Sequence, residues 1–402
     1  MNDRPHLPPA PPSPARGYLI ALLLSCGPSV SNSFARFAYA LVLPAMREDL
    51  RLSYAQAGWL GTANALGYLG GAALTWLLVR RTGNRALFGI GMAVTALALI
   101  ATGLSADLAW LTVARVVAGV SGAMVFITGG ALSGNVFAGR PELATRTILL
   151  YFGGAGIGLM LSAVAIPWLL DAHGAAGWPL AWQLLGGISV LMTIASVWAA
   201  ARVAEPQAGG GSAAWPLRAF LPQLAAYVGF GLGYIAYMTF VIAWLRDNGG
   251  GTGLVVAVWF TLGLFTLVAP AVWTGPCDRW PGGRPLAAVM ATMAVGAALP
   301  VASVAAPAML LSAALFGVAG FSAPSAVGAF IRKALPKPAW GPAIATFTTA
   351  FAASQIAGPI VTGWIADWTG SLRLGLLGSA ALLLGGGLVA LAQAERRHAA
   401  PP

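Results

Sequence analysis

Acidic residues are scarce in this sequence and are missing from its long apolar runs. The 402 residues include 11 Asp and Glu against 22 Lys and Arg, and apart from Arg373 at the edge of the last run, the only charged residues inside the apolar runs are Arg36 and Arg115. A charge at membrane depth is costly unless it is paired or faces a polar cavity, so each arginine is a candidate functional residue. The missing carboxylates argue against a carboxylate relay for protons and against a counter-ion for cationic drugs within these runs.

Cysteine, histidine and catalytic motifs are also scarce. The two cysteines, Cys26 and Cys277, do not form a disulfide framework and are expected to be free thiols. The three histidines, His6, His173 and His398, lie outside the apolar runs and give no zinc-protease pattern. Because no nucleotide-binding motif is present either, the sequence predicts neither an enzyme nor a bound cofactor.

Long apolar runs dominate the chain, of which 58% is hydrophobic and only 8% charged. Twelve runs are each long enough to cross a bilayer core of roughly 30 Å. The chain is therefore predicted to be an all-α membrane protein with twelve transmembrane helices. The predicted spans are 17–44, 54–79, 86–105, 109–137, 147–170, 179–201, 220–245, 252–275, 285–305, 307–331, 341–365 and 372–393.

The basic residues are distributed unevenly between the two predicted sides of the membrane. With the N-terminus inside, 16 Lys and Arg fall on the cytoplasmic side and 4 on the other, which predicts that both termini are cytoplasmic. The net charge of +11 is thus ascribed to topology and contact with anionic lipid, not to nucleic acid. A composition rich in Ala, Gly and Arg favours a bacterial inner membrane.

The chain divides into two similar halves. Helix 1 begins near Gly17 and helix 7 near Arg218, and the loop 79–85 after helix 2 recurs as 277–284 after helix 8. Internal repeats of this kind are typical of transporters whose halves rock about a midplane site. The predicted parts are a disordered tail 1–16, a six-helix bundle 17–201, a linker 202–217, a second pseudosymmetric six-helix bundle 218–393 and a tail 394–402.

These features resemble the major facilitator superfamily over essentially the full length. The loop after helix 2 matches part of the superfamily's Gly-x-x-x-Asp-Arg-x-Gly-Arg-Arg signature, although Arg80 stands where the family has Asp. The resemblance implies that these loops make charge contacts that hold one conformational state. The aligned residues are Arg81, Gly83 and Arg85 in the first half and Asp278, Arg279 and Arg284 in the second.

Further segments resemble the YbfB/YjiJ-like branch of the superfamily. They are 36–46, 53–71, 231–240 and 354–359. The segment 115–123 is similar to the helix 4 signature, which implies that Arg115 assists proton movement. The alternative is that Arg115 is structural and caps the carbonyls of a broken or tilted helix. The resemblance also implies the major facilitator fold and a monomer, but it names no substrate.

Helix 1 carries the strongest candidate site. Ser25, Ser29, Asn32 and Arg36 are spaced by 4, 3 and 4 residues, which predicts one polar helix face. On this interpretation the face borders a cavity where Arg36 binds a carboxylate or phosphate of the solute. The alternative is that Arg36 reaches the outer interface or donates to backbone carbonyls.

Three other helices contribute candidate binding residues. Tyr234 and Tyr237 lie on an aromatic side of helix 7, where they either contact a solute or simply pack. Asn64 in helix 2 and Gln355 in helix 11 either contact the solute or bond neighbouring helices.

The predicted function is transport of a small organic anion by alternating access, alone or together with a proton. Arg36 is the expected anion contact, and Arg115 is expected to act as a modulating charge. Two alternatives stay open at this point: efflux of neutral or amphipathic compounds, and a transport-inactive membrane sensor or scaffold.

Overall fold

The computed structural model describes residues 13–138, 140–206 and 214–395. Most of the predicted tail 1–16 lies outside the described residues, as do positions 207–213 of the predicted linker and 396–402 at the C-terminus.

Twelve helices long enough to cross a membrane run through the described residues, which confirms the predicted all-α membrane fold. They are α1 Pro14–Leu50, α2 Tyr54–Thr82, α3 Asn84–Thr102, α4 Leu108–Gly134, α5 Arg146–His173, α6 Ala175–Ala200, α7 Leu217–Asp247, α8 Thr252–Arg279, α9 Arg284–Ala302, α10 Ala306–Ala334, α11 Lys337–Thr369 and α12 Arg373–Leu391. With an even number of spans, both described ends of the chain lie on one face of the bundle. We refer to this as the terminal face and to the other as the opposite face.

The helices pack as two related sets. In the first half, α4 packs against α2 and α3, and α3 against α6; in the second half, α10 packs against α8 and α9, and α9 against α12. The pairing is therefore repeated six helices later. The halves meet mainly through α2 with α11 and through α5 with α8, and the pseudo-twofold relation exchanges these two pairs. The candidate residues of α1, α2, α4, α7 and α11 consequently converge near the middle of the bundle.

The middle of α1 is wound more widely than an α-helix. Residues Ser29–Phe37 form a π-helical segment, in which the Ala38 N–H donates to the Ser33 carbonyl at 2.7 Å. Pro28 directly precedes the segment and supplies no N–H to the helical ladder. Such i→i+5 turns are rare and occur most often at functional sites.

The wide turn overturns the prediction of a single polar face on α1. The Ser29 hydroxyl donates to the Gly154 carbonyl of α5 at 2.7 Å, and Ser33 donates to the Ala155 carbonyl at 2.5 Å. Ser25 bonds its own helix, at the Leu22 carbonyl. The 4, 3, 4 spacing assumes α-helical turns; π-helical turns rotate successive side chains differently, so these serines bond within the first half while Arg36 reaches the second.

Candidate functional site

Arg36 joins the two halves of the protein. Its Nη2 donates to Oε1 of Gln355 on α11, and Cζ lies 5.6 Å from the Phe37 ring centre and 5.3 Å from that of Tyr68. Gln355 is 1% exposed and its Nε2 donates to the Phe351 carbonyl at 3.2 Å. The guanidinium is therefore held between aromatic rings and a neutral amide.

Arg115 stays within the first half. The side chain is 1% exposed, and its Nη1 donates to the Ala35 carbonyl at 2.6 Å. Cζ lies 4.9 Å from the Tyr39 ring and 5.3 Å from the Trp182 ring, distances at which a cation is attracted to a ring face. Ala35 directly precedes Arg36 in the π-helical segment. This hydrogen bond therefore holds the backbone of α1 next to Arg36.

A small enclosed cavity lies between these arginines. Its lining includes Arg36, Asn64, Arg115 and Thr239, and its volume of about 10 Å³ is close to that of one water. Asn64 bonds a neighbouring helix, because its Nδ2 donates to the Arg115 carbonyl at 3.1 Å. This cavity is too small for an organic solute, which needs a wider conformation to enter it, although Arg36 itself is only half-buried.

The two candidate tyrosines of α7 lie in different surroundings. Tyr234 is 4% exposed; its ring meets that of Phe37 at 6.0 Å, edge to face. Tyr237 stacks on Phe316 at 3.8 Å, and its hydroxyl shares a hydrogen bond with Ser312 Oγ at 2.7 Å. Tyr234 therefore belongs to the surroundings of Arg36, whereas Tyr237 packs within the second half.

Asn32 holds a buried amide oxygen on the same helix as Arg36. The side chain is 6% exposed, and its Oδ1 has no hydrogen-bond partner in the part of the chain that the structure describes. A buried acceptor without a donor is unfavourable by about 1–3 kcal/mol, so this oxygen is suited to receive a donor from water or solute.

Sequence reasoning overlooked two aromatic residues near the Arg36–Gln355 pair. Phe37 follows Arg36 directly, and Phe351 precedes Gln355 by one helical turn. Each lies within one helical turn of a candidate polar residue. This closeness in the sequence was the signal by which both could have been found.

At the opposite face, two carboxylates of the second half bind the first half. Asp367 of α11 accepts hydrogen bonds from the backbone N–H groups of Tyr54, at 2.7 Å, and Ala55, at 2.8 Å, which begin α2. Asp247 of α7 accepts from the Tyr54 hydroxyl and lies 3.9 Å from Arg47. We name these five residues the opposite-face clasp.

Comparison with known proteins assigns the chain to a family. The sequence model described as the uncharacterised MFS-type transporter YbfB matches residues 29–391. The chain belongs to this family of the major facilitator superfamily. The resemblance and the assignment as a transporter and not an enzyme are thereby confirmed. No curated protein matches the chain.

Solved structures share the fold of this transporter. A bacterial homologue of the human lysosomal transporter Spinster, inward-facing and occupied, is 16% identical with a TM-score of 0.68, covering 95% of this chain and 97% of that chain. A D-xylose–proton symporter is 12% identical with a TM-score of 0.74, covering 94% and 98%. The nucleoside transporter NupG, in a mutant form, is 12% identical with a TM-score of 0.72, covering 93% and 99%. At these identities the likeness shows the major facilitator fold alone.

The first signature loop of this transporter is bound by an acid from another part of the chain. Glu205, which follows α6, accepts hydrogen bonds from the Asn84 backbone N–H, from Asn84 Nδ2 at 2.9 Å and from the Arg85 N–H at 3.3 Å. Its carboxylate also lies 3.6 Å from Arg85 Nε. Partial burial raises the pKa of Glu205, but these donors and the arginine charge outweigh it and lower that pKa below its usual value. Gly83 reaches this turn with φ of 79°, and Arg81 is exposed.

The second signature loop is held differently. Lys333 of α10 donates from Nζ to the carbonyls of Cys277, Asp278 and Trp280, at 2.7, 3.3 and 3.1 Å. The side chains of the signature residues Asp278, Arg279 and Arg284 are exposed. Lys333 thus reaches from α10 to the C-terminal end of α8 and satisfies carbonyls that this helix end leaves free.

Proposed function

We propose that this transporter carries a small organic anion across the membrane and that the Arg36 guanidinium binds the negative charge of the solute. One observation carries the proposal: the guanidinium lies where the two halves meet, and its side-chain partner is the neutral amide of Gln355. A carboxylate or phosphate is a stronger partner, because it adds a formal charge and accepts two parallel hydrogen bonds.

The solute competes with Gln355 for Arg36. The bond to Gln355 has one charged partner, whereas a carboxylate or phosphate gives two opposite charges and two parallel hydrogen bonds, so an anion displaces the amide oxygen once it reaches the site. Gln355 then offers its amide to the solute from the second half, and the solute bridges both halves. Asn64 and Asn32 line the approach in this proposal, whereas the hydroxyl of Ser29 is already used against α5.

The proposal also covers membrane topology, oligomeric state and proton coupling. We place both termini in the cytoplasm of a bacterial inner membrane, supported by the uneven distribution of Lys and Arg. The bundles 17–201 and 218–393 rock about the Arg36 site in a monomer. Any coupled proton travels with the solute's own carboxylate, because the spans offer no acidic residue at mid-depth; Arg115 adjusts the local charge.

The proposal is tested by asking which solutes the purified protein accumulates. Proteoliposomes and empty liposomes are incubated with an extract of small metabolites, and their contents are compared by mass spectrometry. Solutes enriched by the protein should carry a carboxylate or phosphate. Accumulation should be lost in Arg36→Ala, be reduced in Arg36→Lys, which keeps the charge but not the fork, and be retained in the exposed control Arg373→Lys.

Two results would contradict the proposal. Enrichment of neutral solutes alone would refute anion transport. Normal accumulation by both Arg36 variants would remove Arg36 from the binding site.

A further inference from the structure

The contacts around Arg36 form a closed series that passes through three aromatic residues. Arg36 bonds Gln355, whose Nε2 donates to the Phe351 carbonyl one turn away. The Phe351 ring lies 6.3 Å from that of Tyr234, and Tyr234 lies 6.0 Å from Phe37. Phe37 completes the circuit beneath the guanidinium, at 5.6 Å.

We call the side chains of Phe37, Tyr234, Phe321 and Phe351 the aromatic wall. It is assembled from both halves of the protein. Phe37 of α1 meets Tyr234 of α7 and Phe321 of α10 edge to face, at 6.0 and 5.8 Å. When the halves separate during transport, these contacts open and expose ring faces and edges to the solute. A planar aromatic solute restores edge-to-face contacts of the kind that are lost.

Simple packing does not account equally well for this wall. The pair of Tyr237 and Phe316, stacked at 3.8 Å, lies wholly within the second half and has the features of ordinary core packing. Phe37 instead meets Tyr234 and Phe321 across the boundary between the halves, and its ring adjoins the Arg36 guanidinium.

Three polar side chains near Arg36 already use their donors within the protein. Asn64 donates to the Arg115 carbonyl, Thr239 to the Ile235 carbonyl and Tyr39 to the Ala57 carbonyl. The charged donor available to a solute is therefore the Arg36 guanidinium, and the Phe37 ring lies directly beside it. This arrangement fits a solute with one negatively charged end and a flat apolar body.

We infer that the transported solute is a planar aromatic carboxylate, with its charge on Arg36 and its ring among Phe37, Tyr234 and Phe351. The inference rests on the proposed anion transport and adds the class of substrate.

Equilibrium binding to the purified full-length protein tests it with matched probes. Benzoate and cyclohexanecarboxylate carry the same charge on a six-membered ring, but only benzoate is planar and aromatic, while the saturated ring is the more hydrophobic. We expect benzoate to bind about fivefold to tenfold more tightly, which corresponds to one or two aromatic contacts. Phe351→Leu should bring the two affinities within about twofold, and Phe351→Tyr should retain the preference. Phe347→Leu, one turn further from Gln355, is the matched control and should also retain it.

The outcomes separate this inference from the proposed function. If the saturated acid binds as tightly as benzoate, or if benzoate does not bind, the aromatic class is wrong while anion transport stands on its own uptake assay. If uncharged benzamide binds as tightly as benzoate, the charge site at Arg36 is wrong. The comparison in the unmodified protein decides between these results even if a variant fails to fold.

Discussion

The opposite-face clasp should control which face of the transporter is closed. Asp367 crosses from the second half to receive the first two N–H groups of α2, at 2.7 and 2.8 Å. Asp367→Ala removes both acceptors and the negative charge at a helix N-terminus. The bonds exist only when the opposite face is closed, so the substitution destabilises that conformation selectively.

The expected magnitude follows from the exposure of this carboxylate. Two hydrogen bonds to a buried charge would contribute several kcal/mol, but Asp367 is exposed, and water replaces part of the interaction. Removing a capping acceptor at a helix N-terminus typically destabilises by about 1 kcal/mol. The ratio of closed to open conformations should therefore fall about fivefold.

Distances between spin labels measure this ratio. Nitroxides are attached at the exposed positions Ala172 and Ala302, one in each half at the opposite face, in a background without the native cysteines. Asp367→Ala should enlarge the long-distance population about fivefold. Asp107→Ala is the matched control, because Asp107 caps the start of α4 within one half, accepting from Trp110 N–H at 2.8 Å.

The control makes the prediction refutable. Asp107→Ala should lower thermal stability without changing the distance distribution. If Asp367→Ala leaves the distribution unchanged, or if Asp107→Ala changes it equally, the clasp does not set the conformational balance.

Three further predictions concern other contacts. Gly58→Leu should enlarge the same long-distance population, because a Cβ at this position overlaps the backbone of α11, whereas Gly70→Leu, with nothing within 4 Å, should not; equal effects would contradict the close approach. Since Glu205 has a lowered pKa in the folded protein, its stabilisation is present above the unfolded value of about 4.3 and is lost as pH falls through the lower folded value. Melting temperatures of wild type and Glu205→Gln should therefore converge as pH is lowered from 6 to about 3, and a constant difference would refute this. Lys333→Ala should destabilise by about 0.5–1.5 kcal/mol in thermal unfolding through the loss of carbonyl contacts, while the exposed Arg332→Ala should change little.

The spans and the candidate residue Arg36 were predictable because both follow from local chemistry. Helix length and apolar composition identify a membrane span without any tertiary information. Arg36 was recognisable as a candidate residue because a charge at membrane depth needs a reason, and the structure shows that it hydrogen-bonds a second candidate, Gln355.

The register of α1 could not be read from spacing. The prediction of one polar face assumed 3.6 residues per turn, and the π-helical segment Ser29–Phe37 breaks that assumption. As a result Ser29 contacts α5, while Arg36 reaches Gln355 of α11.

Contacts between residues far apart in the sequence also could not be predicted from local sequence patterns. The signature loop appeared to lack its acid because Arg80 replaces the family's Asp, yet Glu205 reaches Arg85 from the segment after α6. Asp367 likewise resembles any acid near a helix end until the fold places it against the start of α2. These contacts depend on how helices pack, which single-chain spacing does not encode.

The most direct test of the central claim is the affinity of the transported solute compared with that of its uncharged amide derivative, measured in wild type and in Arg36→Gln. The account predicts that wild type binds the anion about tenfold or more tightly than the amide, and that Arg36→Gln binds both equally. If Arg36→Gln still prefers the anion by the same factor, the negative charge binds elsewhere and the account is wrong.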